Sequence, residues 1–259
     1  MLQGDYELAS PSDPLDLPQT LLEPLLIRYA TINGFKCRWD TRFVSYVQEP
    51  EGKGVTTTLH DRVSGRDFKV RSKYLFGADG ARSPIMQQTG IPMIKRPGQG
   101  FAINILMEAD MSHLMENRMG NLHWLLTPDK EHPDFAWIGC IRMVKPGFEW
   151  LCIIFPTAEA ERKVRTPEEY IDRVREFIGD DSVEVKIKGI STWMINETAA
   201  EAYSKGDVFC LGDAVHRHPP NHGLGSNTCI QDAHNLAWKV AMVHKGKQDF
   251  FRDQLRDSC

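Results

Sequence analysis

The chain of 259 residues lacks a hydrophobic run long enough to cross a bilayer. Its longest apolar stretch of note, Trp150 to Phe155, falls far short of the ~20 residues that a spanning helix needs. The opening Met1-Leu2-Gln3-Gly4-Asp5 has no basic segment leading into an apolar one, so neither a leader nor a membrane partner is expected. Neither sign of charge dominates. Against 35 Asp+Glu stand 31 Lys+Arg, a formal charge of −4 without an acidic or basic tail, which excludes a nucleic-acid partner. At 41% hydrophobic residues the chain is too apolar for disorder. The six cysteines, Cys37, Cys140, Cys152, Cys210, Cys229 and Cys259, form no Cys-x-x-Cys pair, which excludes a disulfide scaffold and a structural zinc site. Most should be small buried hydrophobes in a reducing, cytoplasmic setting. A Gly-x-Gly-x-x-Gly turn is missing too: Gly98-Gln99-Gly100 has no third glycine and no apolar strand before it, and Gly223-Leu224-Gly225 has Thr228 in the third place.

What is present is a clear succession of elements. Leu21, Leu22, Leu25, Leu26 and Tyr29 recur at helical spacing after a Thr20/Glu23 capping box, and Gly34 closes that helix. Strands are expected over Phe43–Val47, Val55–Leu59 and Phe68–Phe76, a meander feeding Tyr74–Ala78, with Lys69 to Lys73 forming an exposed face. A second strand-rich stretch follows at Phe101–Met107, Leu122–Leu126, Phe135–Met143 and Trp150–Phe155, suggesting a mainly antiparallel sheet with Trp124, Trp137, Trp150 and Phe135 as core. Thr166-Pro167-Glu168-Glu169 opens a helix whose apolar face is Ile171, Val174, Phe177 and Ile178, and Val183–Ile190 returns to strand. The last elements are a strand at Val208–Leu211 and a helix opening near Ser226-Asn227 that buries Ile230, Ala233, Ala237, Val240 and Ala241.

Two segments carry chemistry. After the apolar strand Val208–Leu211 come Gly212-Asp213, a loop with Pro219-Pro220 and Gly223-Leu224-Gly225, and a helix start. An acid at the carboxyl end of a strand suits ligand hydroxyls, and glycine-freed amides at a helix start suit a negatively polarised oxygen or an anionic ring. The combination predicts a polyol-bearing, partly anionic ligand. The second segment, Tyr74 to Ser83, again places an Asp-Gly pair, Asp79-Gly80, directly after an apolar strand. His216, His218 and His222 fall within seven residues, but Pro219-Pro220 fixes an extended loop and no carboxylate completes a ligand spacing, so no metal is expected.

These stretches resemble the single-component flavin-dependent aromatic hydroxylases, in particular the phenol and dichlorophenol hydroxylase branch. GADGARS at Gly77–Ser83 is similar to that family's Asp-Gly fingerprint, and the run from Gly212 to Asn227, continuing through Asp232 to Lys239, is similar to its Gly-Asp fingerprint. Leu17 to Pro24, Glu108-Ala109-Asp110 and His113-Leu114 add support, so the resemblance spans nearly the whole chain. It implies an α/β (α+β) fold: an incomplete Rossmann-like FAD-binding domain with an inserted, mainly antiparallel substrate-binding sheet. It implies a first FAD-binding part over residues 1–95, the sheet domain over 96–204 and a second FAD-binding part over 205–259. Asp213 would bind the ribityl chain, and Gly223, Leu224, Gly225, Ser226 and Asn227 would face the pyrimidine edge of the ring. Pro220 would shape the loop, Asp79 and Gly80 would lie near the pyrophosphate and the route of the nicotinamide donor, and Gln19 matches a polar flavin contact.

The implied activity is hydroxylation of a phenolic or polyketide-like small-molecule aromatic, with FAD as cofactor, NAD(P)H as electron donor and O₂ as oxidant; no catalytic side chain stands out. The family opens with the glycine-rich unit missing here and continues past the last helix, so the chain is expected to be a truncated member. The alternatives are a non-catalytic relic or half of a split enzyme, paired with a complementing polypeptide or a second copy. A related halogenase or dehydrogenase is a third reading, disfavoured because the halogenase lysine and tryptophan signature is not found.

Overall fold

A computed structural model describes residues 11, 12, 15, 17–96, 98, 100–118, 120–128, 130–157, 165–220 and 223–246. Met1 to Asp5, Gln99, His222 and Cys259, considered above, lie outside these residues. In chain order the elements are helix α1 (Gln19–Ile32), strands β1 (Thr41–Gln48), β2 (Val55–Asp61), β3 (Arg66–Ser72) and β4 (Leu75–Gly77), and helix α2 (Pro84–Thr89). Strands β5 (Met93–Lys95) and β6 (Phe101–Glu108), helix α3 (Ser112–Met115), and strands β7 (Leu122–Leu125), β8 (Ile138–Lys145) and β9 (Glu149–Phe155) follow. Helix α4 (Pro167–Ile178), strands β10 (Lys186–Met194), β11 (Thr198–Ala200), β12 (Ser204–Lys205), β13 (Val208–Cys210) and β14 (His216–Arg217), and helix α5 (Leu224–His244) complete the order. The mixed α/β architecture with antiparallel sheets is the expected fold class. Two compact units form, one from the chain up to Cys37 with Phe101–Trp193, the other from Arg38–Gly100 with the chain from Met194 onward.

The first unit is built on a five-stranded sheet in the order β10-β6-β9-β8-β7, in which β6, β9, β8 and β7 pair antiparallel. Alternation along β6 and β9 aims Ile103, Ile105, Met107, Trp150, Cys152 and Ile154 at Tyr170, Val174 and Phe177 of α4. The Thr166 hydroxyl accepts the N–H of Glu169, and the Glu169 carboxylate accepts that of Thr166, so the predicted capping box forms with Pro167 in the first turn. Thr166→Ala should lower stability by about 1 kcal/mol, read by urea unfolding.

Two carboxylates of this unit sit below their ordinary range. Asp180 is pushed down to about 2 by Ser182 and His113, and Glu149 is lowered by Lys188 and Lys145. Groups depressed in the folded state stabilise it above their unfolded pKa, and that contribution is lost as pH falls through the folded value. Unfolding followed by near-ultraviolet circular dichroism should therefore become easier between about pH 4 and pH 2.

The structure corrects several local expectations. Phe135 lies in a short 3₁₀ turn, Asp134–Ala136, and the strand begins only at Ile138. Val183 is buried but precedes β10, which starts at Lys186. Trp150 is core, yet Trp124 and Trp137 are 52% and 55% exposed, with Trp124 stacked 5.9 Å from Phe155 on the sheet face away from α4. The Thr20/Glu23 box does not form: α1 begins at Gln19, and Glu23 accepts from the Gln19 side chain at 2.6 Å instead. No residue of α1 is buried.

In the second unit, β1, β2 and β3 form the expected antiparallel meander. The strand foreseen over Phe68–Phe76 is interrupted after Ser72, and β4 leaves that sheet to pair in parallel with β13. On β3 both faces are open, with Val70 as well as the basic residues exposed. All three residues of β13 are buried, because Val208 and Cys210 join Tyr46, Val55, Ile85 and Met86 on one face while Phe209 packs on Leu236 and Val243 of α5 on the other. Helix α5 starts at Leu224, earlier than expected, and buries Leu236, Lys239 and Val243; of the predicted face only Val240 is half-buried, and Ile230 is 62% exposed.

Candidate functional site

The register Leu75↔Val208, Phe76↔Phe209, Gly77↔Cys210 puts the carboxyl ends of β4 and β13 side by side. The two motifs, far apart in sequence, thereby become neighbouring turns: Asp79-Gly80 after β4 and Gly212-Asp213 after β13. Ligands of open parallel sheets gather at such strand ends, where successive turns free their backbone groups.

Each turn is held by its own chemistry. After β4, Asp79 Oδ2 accepts the N–H of Ile85 at 3.2 Å, and Ser83, buried, caps α2 by accepting from Met86 at 2.8 Å, with Pro84 pre-set at the first helical position. After β13, Gly212 takes φ +64°, open to glycine at little cost, and begins a 3₁₀ turn that leaves the Asp213 carboxylate exposed. Its closest side-chain partner is Cys229 Sγ, 3.7 Å from Oδ1. Arg217 ties the two turns together, Nε donating to the Asp213 carbonyl at 3.3 Å and Nη2 to the Ala81 carbonyl. Beside this link lies a cleft of about 280 Å³ lined by Ala81, Met86, Met93, Lys95, Ala214 and Arg217, which brings two cationic side chains to the turn after β4.

The start of α5 follows directly. Gly223 occupies the N-cap with φ +63°, and among the described residues no side chain caps that end and no acid sits in the first turn. Leu224, Ser226 and Asn227 are exposed and Gly225 is half-buried, so the first-turn amides and the positive end of the helix dipole face outward. Asn227 donates its amide to the Gly223 carbonyl at 2.7 Å, so its side chain is turned back on the helix. The Gly223 N–H reaches the Pro220 carbonyl at 3.3 Å, closing the loop.

Asp79, Gly80, Asp213, Pro220 and Gly223 to Asn227 therefore all belong to one unit, grouped by β4, β13 and α5. Gln19 belongs to the other unit, exposed on α1. The sequence reading missed Arg217 and Cys229, and also Asp232, whose Oδ2 accepts from Gly212 N and from His216 Nε2. Counting His216 only as a metal candidate concealed that pairing; an acid on the helix following an acid-bearing turn was the available signal.

Burial, then the nearby Asp213 carboxylate, pushes the Cys229 thiol up, so it carries little thiolate at neutral pH. Maleimide should label exposed Cys37 quickly and Cys229 slowly, as read by peptide mass spectrometry.

Known proteins match nearly the whole of this chain. The model of the FAD binding domain family matches residues 2–251. The chain is 44% identical over 248 residues to 2,4-dichlorophenol 6-monooxygenase of Cupriavidus pinatubonensis, covering 95% of this chain and 41% of that protein. It is 40% identical over 245 residues to phenol 2-monooxygenase of a Pseudomonas strain, covering 95% and 38%. The flavin-dependent monooxygenase PieE, solved with FAD and substrate, superposes with a TM-score of 0.85 at 40% identity, covering 94% of this chain and 41% of that one. The chain thus spans about two fifths of the length of the curated relatives it matches.

Proposed function

Because the chain belongs to the FAD binding domain family, we propose that it holds the flavin of an FAD-dependent monooxygenase acting on a phenolic or polyketide-like aromatic. The observation that carries this reading is the parallel pairing of β4 with β13, which groups the two Asp- and Gly-bearing turns with the glycine-capped start of α5.

The residues fit the group. An exposed carboxylate at a strand end is an acceptor for ribityl hydroxyls, outward amides at a glycine-rich helix start are donors for the polarised oxygens of the ring, and Lys95 and Arg217 offset phosphate charge beside Asp79-Gly80. FAD supplies the redox chemistry when bound, with NAD(P)H as electron donor and O₂ as oxidant. The chain's part is to hold and orient. Asp213 accepts hydrogen bonds from hydroxyls, Leu224 to Ser226 donate through the backbone, and Pro219-Pro220 stiffen the loop. In this reading residues 1–95 and 205–259 form the two FAD-binding parts and 96–204 the substrate-binding domain.

A second reading, a non-catalytic chain or one half of a split enzyme completed by another polypeptide, is favoured by surface that other elements leave open. Strand β4 ends its sheet with Phe76 42% exposed, and α5 shows Ile230 and Trp238 to solvent. Titration with FAD tests the site: flavin fluorescence should change and saturate at one flavin per chain, and no saturation up to millimolar FAD would refute it. Phenol-dependent NAD(P)H oxidation by the loaded chain then separates the catalytic reading from the second one.

A further inference from the structure

Asp232 lies on α5 with its side chain 14% exposed, and one of its oxygens serves two donors from the turn that carries Asp213. Oδ2 accepts the backbone N–H of Gly212 at 2.8 Å and pairs with Nε2 of His216 at 2.7 Å. An N–H at a left-handed residue points away from the sheet ladder and must find an acceptor elsewhere when buried. Gly212 is buried, and a Cβ there would stand 3.2 Å from Cys229 Sγ, so the turn rests directly on α5 beside the carboxylate. His216 is 2% exposed and its Nδ1 has no partner among the described residues. With the carboxylate accepting at Nε2, the hydrogen of a neutral ring sits on Nε2 and the bare lone pair on Nδ1. Packing of Tyr203 and His218 around the ring, with centroids at 6.1 and 5.0 Å, holds it in that orientation.

We propose that Asp232 is a positioning residue for the flavin site. Its carboxylate clamps the Gly212 turn and fixes His216 as the Nε2–H tautomer, so that Asp213 projects from a loop already in its binding shape. The clamp also joins the strand-end half of the site to α5, whose first turn supplies the other half. This inference rests on the flavin reading of Gly212 to Asn227 and adds to it a residue that touches neither ligand nor reacting atoms.

The test uses the ¹⁵N-labelled full chain, as wild type, Asp232→Ala and Asp232→Asn. In the flavin-free wild type the Gly212 amide should be protected from hydrogen exchange, and the His216 ring nitrogens should show the Nε2–H tautomer. Asp232→Ala should lose both signals and bind FAD roughly tenfold more weakly, because the loop must then be ordered on binding. Asp232→Asn, which keeps the shape and one carbonyl oxygen, should fall between the two, and it carries the test if the alanine variant does not fold. Free exchange at Gly212 in the wild type, or unchanged FAD affinity in a folded variant that has lost both signals, would overturn the clamp. Absence of FAD binding by a wild type that shows both signals would overturn the flavin reading instead, leaving the clamp as a feature of the fold alone.

Discussion

Asp213→Ala should weaken flavin binding by about 10- to 100-fold, the loss of a hydrogen bond to a charged group at about 1.5–3 kcal/mol. Thermal unfolding should stay almost unchanged, because the carboxylate is exposed and its closest side-chain partner is a thiol at 3.7 Å. That separation between ligand affinity and stability makes the variant informative. Riboflavin and FAD carry the same ribityl chain, so isothermal titration should show the same fold-loss for both. A loss confined to FAD would move Asp213 from the ribityl chain to the nucleotide half, and no loss for either would remove it from the site. Asp213→Asn, which retains one acceptor oxygen without the charge, should lie between alanine and wild type.

Trp150→Ala should destabilise the first unit by about 3–5 kcal/mol, the range for emptying a large aromatic site from a core. Trp150 is fully buried against α4, and its indole N–H donates to the Ala109 carbonyl at 3.0 Å, so truncation leaves both a cavity and an unpaired buried carbonyl. Trp150→Phe keeps much of the ring volume and should lose less. Trp124→Ala, in the same sheet but 52% exposed, is the control and should change urea midpoints little. Similar losses at the two tryptophans would contradict the assignment of the α4 side of the sheet as the core.

Local sequence rules read the elements well where one residue's chemistry decides the outcome. Thr166, Pro167 and Glu169 meet every requirement of a helix start, and the start is where they put it. The continuous apolar Val208–Cys210 reads as a strand covered on both faces, and it is. Thr20 and Glu23 satisfy the same spacing rule as Thr166 and Glu169, yet the helix begins two residues earlier, because Pro18 takes the N-cap and Gln19 occupies Glu23. Periodicity also states which residues share a face without stating what covers it. The stripe of Ile230, Ala233, Ala237 and Ala241 on α5 is a real face, but contact with Phe209 falls on Leu236 and Val243, a fraction of a turn away. Of the site, the two turns were legible from their Asp and Gly residues alone. Their side-by-side placement required the pairing of β4 with β13, and the roles of Arg217 and Asp232 exist only once that pairing is made.

The joint between the two turns also bears on the order in which the molecule folds. Arg217 and Ala81 stand 136 residues apart, and closing a loop of that size costs roughly 2 kcal/mol more than closing a ten-residue hairpin. Each strand of the parallel pair offers only three residues in return. The meander of β1 to β3 and the hairpins of the five-stranded sheet close through far shorter loops, so they gain structure first. The turn-bearing ends of β4 and β13 are thus among the last parts to assemble, and a nascent chain joins its two Asp- and Gly-bearing turns only after residues beyond Arg217 have been made.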